Sequence, residues 1–267
     1  MNEPSVHKAA ADGYTRGADI YVRGRPDYPP QVTQWLADTL ALAPGKTVLE
    51  LGAGTGKFTP RLIQTGARVI VVEPVQAMLD KLTATYPGVE AHQGTAQAIP
   101  LPDASVDGVV CAQAFHWFAH HAALAEIHRV LKPGGRLGLI WNLRDARVPW
   151  VAELDARVNQ WEGDAPRFYT GAWRAAFPFD GFGPLQAQTF SQLHTGPVED
   201  VIFNRVRSTS FVSALAPADR EKLEARVREL VASEPALNHG GDVSVPYITS
   251  AFVAEKLGLS IAAVTAT

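Results

Sequence analysis

Between residues 47 and 146, short continuous apolar runs alternate with segments whose apolar residues recur at helical spacing. This alternation constrains the fold of the 267-residue chain more than any other feature. "GKTVLELGAG" reads as a turn, a buried strand and a second turn, and "ARVIVVEP", "VEAHQGTA", "SVDGVVCAQAFHWF" and "RLGLIWNLRD" hold four further strands. "PQVTQWLADTLAL", "FTPRLIQTG", "VQAMLDKLTATYP" and "HAALAEIHRVLKPGG" read as helices, the last two closed by Pro87 with Gly88 and by Pro133 with Gly134. A strand that is apolar throughout has no face to give to water, so both faces must be covered. Helices between successive strands supply that cover in a doubly wound, mostly parallel α/β sheet, whose ligand site lies beyond the carboxyl ends of the strands.

The flanking regions differ. Residues 1–30 are polar and rich in Tyr, Arg, Gly and Pro, ending in "YVRGRPDYPP", and are expected to form an arm before a core spanning 31–146. In 147–267 the alternation fades and aromatic residues accumulate. A helix, "PADREKLEARVRELVAS", stands between the expected strand segments "LQAQTFSQLHTG", "VIFNRVRSTSFV" and "DVSVPYITSAFVAEKL", which would complete the sheet and build a lid. A net charge of −3 gives no general reason to bind nucleic acid. The single cysteine, Cys111, excludes an intramolecular disulfide and a cysteine-built zinc site, and no metal is expected. Without a secretory pattern or a long apolar span, the expected setting is the cytoplasm, away from membranes.

The stretch "VLELGAGTGKFT" narrows the ligand. A phosphate-binding P-loop would need glycine at Leu51 and a hydroxyl at Phe58, and a dinucleotide turn would need a small residue at Lys57. Neither fits well. The chain instead has Glu50 followed by Gly52, Gly54 and Gly56, an acid before glycines at alternate positions; Lys57 is expected to face solvent at the start of the next helix. Glu73 ends the second strand, where a carboxylate can accept hydrogen bonds from both hydroxyls of a ribose.

These motifs, with "GTAQAIPLPDASVDGVVCAQAFHWF" and "EIHRVLKPGGRLGLI" in the same order, resemble the class I S-adenosylmethionine-dependent methyltransferases of the methyltransferase type 11 family. The resemblance covers residues 47–142 and implies a Rossmann-like, seven-stranded sheet with a C-terminal cap. It implies S-adenosyl-L-methionine as cofactor, with Glu50, Gly52, Ala53, Gly54 and Gly56 on its methionine side and Glu73, Pro74 and Met78 at the ribose and adenosine. Thr95, Ala96 and Gln97 would lie against adenine, and Ala112 and Gln113 beside the methionine part. "YVRGRPDYPP" looks most like the trans-aconitate branch, in which the arm folds across the cofactor, and points to Tyr21 and Arg25 as closing residues.

Methyl transfer from a sulfonium depends mainly on positioning and desolvation, so the acceptor is less legible than the cofactor. Ala112 to Phe115 lack the Asp/Asn-Pro-Pro-Tyr pattern of amino-group methyltransferases, which with the acidic balance argues against a nucleic-acid amino methyltransferase; the expected acceptor is a small molecule, methylated on a carboxylate or hydroxyl. His116 is the candidate base or acceptor contact, with Trp117, Trp141, Asn142 and Arg144 as candidate pocket residues. Arg144 can pair with Asp145 or hold a carboxylate. Arg205 and Arg207, two apart, are expected to share one face of a strand, as solvated charge rather than as an anion clamp. N- or C-methylation, a non-catalytic cofactor sensor and an NAD-dependent oxidoreductase remain alternatives. The oligomeric state is open.

Overall fold

The computed structural model describes residues 24–258. Its elements run α1 (Gln31–Thr39), β1 (Thr47–Leu51), α2 (Thr59–Ile63), β2 (Arg68–Glu73), α3 (Gln76–Thr85), β3 (Glu90–Gln93), β4 (Val106–Ala112), α4 (His121–Val130), β5 (Leu131–Arg144), α5 (Pro149–Asn159), β6 (Gln186–Gly196), a π-helix (Glu199–Asn204) with short helical turns after it, α6 (Pro217–Ser233) and β7 (Val243–Glu255). The strands form one sheet in the order β3-β2-β1-β4-β5-β7-β6. The first five are parallel, and β7 and β6 join antiparallel at the β5 edge.

Successive residues of the inner strands serve opposite faces. Leu49, Leu51, Val109, Cys111 and Leu139 pack with Leu124 and Ile127 of α4, whereas Val48, Val71, Val110 and Ile140 pack with Leu36 of α1, Leu62 of α2 and Leu82 of α3. Hence the unbroken apolar runs: each side chain in them meets a helix on one side or the other, and each fully buried aliphatic side chain contributes about 1.5–3 kcal/mol. A third apolar cluster joins α5, the π-helix and α6 to Val243, Val245 and Tyr247 of β7.

"VIFNRVRSTSFV" is helical rather than extended. Its apparent alternation, Val206 between two arginines, conceals the pairs Val201 with Arg205 and Ile202 with Val206, which are four residues apart and stack on a helix.

Candidate functional site

The carboxyl ends of β1, β2, β4 and β5 open into one cavity, walled also by the loop after β3, by residues 25–28 and by Arg205. Glu50 sits in β1 one residue before the chain turns and is almost completely buried, with Thr59 Oγ1 donating to its Oε2 at 2.6 Å. Burial pushes its carboxyl up to about 8; the Thr59 bond opposes this and the nearby Glu73 charge adds to it. Glu73 accepts from the Gly54 amide at 2.9 Å and the Val75 amide at 3.0 Å. Burial raises its pKa too, against those two amides. Two carboxylates side by side in a poorly solvated cleft make a site that favours a cation.

The glycines between them divide the work. All three have positive φ, 73° at Gly52, 59° at Gly54 and 84° at Gly56. A Cβ on Gly54 would meet nothing within 4 Å, because it would project into the cavity, whereas one on Gly56 would come within 2.9 Å of the Tyr86 ring and 3.0 Å of Leu82. Gly56 therefore serves the packing of the loop on α3 and does not line the cavity, contrary to the expectation from sequence.

Pro74, Met78, Thr95, Ala96, Gln97, Ala112 and Gln113 all line the cavity, as do Ala53, Trp117 and Asn142. Thr95 Oγ1 is buried with no hydrogen-bond partner among the described residues. Gln113 holds a left-handed backbone, φ 55°, stabilised by its amide donating to Ile140 O at 2.8 Å and its side chain donating to Asn142 O at 2.5 Å. A non-glycine residue held there at a cavity wall marks the strand tip as shaped for a ligand.

Residues 25–28 cross this opening. The Asp27 carbonyl accepts from Gln192 at 2.8 Å and Asn142 at 3.3 Å, and the Asp27 carboxylate pairs with Lys57 at 2.6 Å. Lys57 is thus not a solvent-facing helix residue: it lines the cavity and ties the crossing segment to the glycine loop. Arg25 donates to Ser208 O at 3.0 Å and lines the cavity; Tyr21 lies outside the described residues.

Three expected pocket residues lie elsewhere. Trp141 is fully buried, with its ring centroid 4.7 Å from those of Phe168 and Trp173, and its indole N–H donates to His116 Nδ1 at 3.0 Å. Burial, reinforced by the Arg167 and Arg25 charges, lowers the His116 pKa to about 3. A neutral ring that accepts at Nδ1 carries its proton on Nε2, so in this arrangement His116 offers no free lone pair to an acceptor. Arg144 pairs not with Asp145 but with Asp155 of α5, donating from Nε at 2.7 Å, while Asp145 pairs with Arg147 at 2.7 Å. Conversely, Arg205, expected in solvent, lines the cavity, and Pro26, Tyr28, Phe58 and Phe118 complete the wall. Helical spacing from buried Val201 is the signal that could have turned Arg205 inward.

Among the described residues, no group of three or more His, Cys, Asp or Glu could hold a metal, and no helix is long and apolar enough to cross a membrane.

A seven-stranded sheet with acids at the tips of its first two strands and a glycine turn between them defines the class I methyltransferase architecture. A family profile for the methyltransferase domain, type 11, matches residues 49–139. An uncharacterized methyltransferase-like protein of Schizosaccharomyces pombe is 41% identical over 237 residues, covering 88% of this chain and 92% of that protein. An uncharacterized methyltransferase of Mycobacterium tuberculosis is 41% identical over 229 residues, covering 86% and 89%. The chain belongs to this family of methyltransferases, which typically use S-adenosylmethionine, and is a methyltransferase enzyme. The fold is shared with a candidate type II methyltransferase from Anaeromyxobacter dehalogenans, TM-score 0.65 at 24% identity over 87% of this chain and 97% of that one. It is shared also with the YcgJ protein of Bacillus subtilis, TM-score 0.56 at 20% identity over 85% and 99%.

Proposed function

We propose that this cavity binds S-adenosylmethionine and methylates a carboxylate oxygen of a small-molecule acid. The donor set fits the cofactor: two buried acids for a cationic amino acid moiety and a ribose, open space over Gly54, and the unpartnered Thr95 hydroxyl near the adenine position. On this reading Glu50, Gly52, Ala53 and Gly54 hold the methionine side with Ala112 and Gln113; Glu73, with Pro74 and Met78, takes the ribose and adenosine; and Thr95, Ala96 and Gln97 face adenine. When bound, the cofactor supplies a sulfonium-activated methyl group, which an already ionised oxygen takes with no proton to move.

The observation that supports the acceptor class is a cavity lined by guanidinium groups, with His116 outside its wall and held by Trp141. A hydroxyl acceptor would need its proton removed, whereas a carboxylate needs only to be held and desolvated. Residues 25–28 exclude water from one side through the Asp27 contacts, and Trp117 and Phe118 add apolar wall. Arg25 at the cavity supports a place near the trans-aconitate branch. The net charge of −3 supports a small-molecule acceptor over a nucleic acid or an anionic membrane surface. Incubation with the labelled cofactor and a panel of small carboxylic acids tests this: the product should release its label as methanol in mild alkali, as an ester does. Label that alkali does not release would place the methyl group on nitrogen, carbon or a hydroxyl and overturn the reading.

A further inference from the structure

Arg205 is the first residue after the π-helix, and its guanidinium reaches the cavity from a segment beyond β6, far in sequence from every cofactor motif. Its Nη1 donates to Thr209 Oγ1 at 3.2 Å, and its Nε is buried with no partner. Among the described residues it forms no ion pair with a carboxylate. Two more guanidiniums stand near it, from Arg25, which donates to Ser208 O, and from Arg144, which pairs with Asp155. Burial and this like-charge crowding lower the Arg205 pKa to about 10, while the Tyr247 hydroxyl beside it acts in the opposite direction. A guanidinium that lines a cavity with no carboxylate to answer it is matched by a multi-oxygen anion.

The π-helix explains how Arg205 comes to point there. Hydrogen bonds that span five residues instead of four widen the turn and shift the register of the residues after it, so Val201, Ile202, Phe203 and Val206 can all be buried while Arg205 still lines the cavity. Its neighbour Arg207 leaves on another face and pairs with Glu224 at 2.8 Å and with Glu199.

We infer that Arg205 is the specificity-determining residue for an anionic group of the acceptor, held between the π-helix segment and Arg25. This rests on the proposed methyl transfer only in taking the anion to belong to the acceptor; anion binding itself does not require it.

The test uses the whole protein without added cofactor, titrated with malonate, inorganic phosphate and uncharged malonamide and followed by thermal unfolding and calorimetry. Malonate should bind and malonamide should not. Arg205→Gln should weaken malonate by at least about tenfold, Arg205→Lys by less, and Arg207→Gln not at all. Equal malonate affinity in Arg205→Gln and the parent overturns the inference, as does equal binding of malonamide. Phosphate binding that depends on Arg205 and exceeds malonate would keep the anion site and remove the carboxylate as its occupant. S-adenosylhomocysteine affinity, measured on the same chains, should fall by much less in Arg205→Gln than malonate affinity does. If S-adenosylhomocysteine binds neither chain while malonate still distinguishes them, the methyltransfer reading fails and the anion site stands.

Discussion

The Trp141 indole donates to His116 Nδ1 at 3.0 Å, one residue from the cavity wall at Trp117, and this bond turns the expected base into a structural acceptor. The folded ring titrates near 3 against an ordinary 6.5, so the folded chain refuses a proton that the unfolded chain accepts. A histidine whose folded pKa is depressed gives stability that is present above the unfolded value and lost as pH falls from about 6.5 toward 3. At pH 5.5 the loss from this group is about 1.4 kcal/mol. Urea unfolding of the parent and His116→Leu should show a stability difference smaller by about that amount at pH 5.5 than at pH 7.5. A difference independent of pH would mean that the ring titrates normally and is open to act as a base.

Glu50 titrates the other way. Its carboxyl, pushed up to about 8, is mostly protonated at neutral pH, and a cation lodged beside it favours the ionised form. S-adenosylhomocysteine, which carries an ammonium, should therefore expel a proton as it binds. Its affinity should rise by up to about tenfold per pH unit toward pH 8 and then level off. Calorimetry in phosphate and in Tris, which differ in ionisation heat, should give different binding enthalpies, and Glu50→Gln should remove the difference. Identical enthalpies for the parent in the two buffers would contradict the assignment of Glu50 to the cation.

The sheet and the cofactor end of the cavity are legible in the sequence because each local pattern there has a single structural cause. Apolar strands between helices demand cover on both faces, and an acid at a strand tip beside glycines demands a ligand. The acceptor end is not legible in this way. His116 and Trp141 stand close in sequence to the tips of β4 and β5, but whether a side chain at a strand end turns toward the cavity or the core depends on the aromatic layer of Phe168 and Trp173, more than twenty residues away. Arg205 is hidden by a two-residue alternation that a helix with a π turn also produces. Asp155, the partner of Arg144, comes from α5 and is masked in the sequence by the adjacent Asp145.

Gly54 and Gly56 look interchangeable in the motif and should fail differently. Gly54→Ala forces a side chain into a left-handed backbone and into the ligand space. It should cost about 1 kcal/mol of stability and at least about tenfold in S-adenosylhomocysteine affinity. Gly56→Ala carries the same backbone penalty and collides with Tyr86 and Leu82, so it should cost a further 1–3 kcal/mol, roughly, while the folded fraction binds with little change. Thermal unfolding and calorimetry on both variants separate the two effects. Loss of affinity in Gly56→Ala alone would show that the loop's ligand contacts lie at its second half.

Arg144 illustrates a charge near a site whose work is structural. Its side chain is 7% exposed and its partner Asp155 is 24% exposed, so removing the arginine leaves a carboxylate in a partly dry setting. Full burial of both partners would make the loss about 3–5 kcal/mol; the water reaching Asp155 brings the expected cost of Arg144→Leu down to about 2–3 kcal/mol. Removing Asp155 as well should restore part of that, because the double variant strands no charge. Neither change should alter malonate or S-adenosylhomocysteine affinity of the folded protein by more than about twofold, since Arg144 does not line the cavity. By contrast Lys57→Met, breaking a pair whose Asp27 side is 79% exposed, should cost under about 1 kcal/mol yet loosen residues 25–28 from the glycine loop. Its signature is faster S-adenosylhomocysteine release at nearly unchanged stability. If Arg144→Leu were instead the variant that lost ligand at unchanged stability, the assignment of the two cations would have to be exchanged.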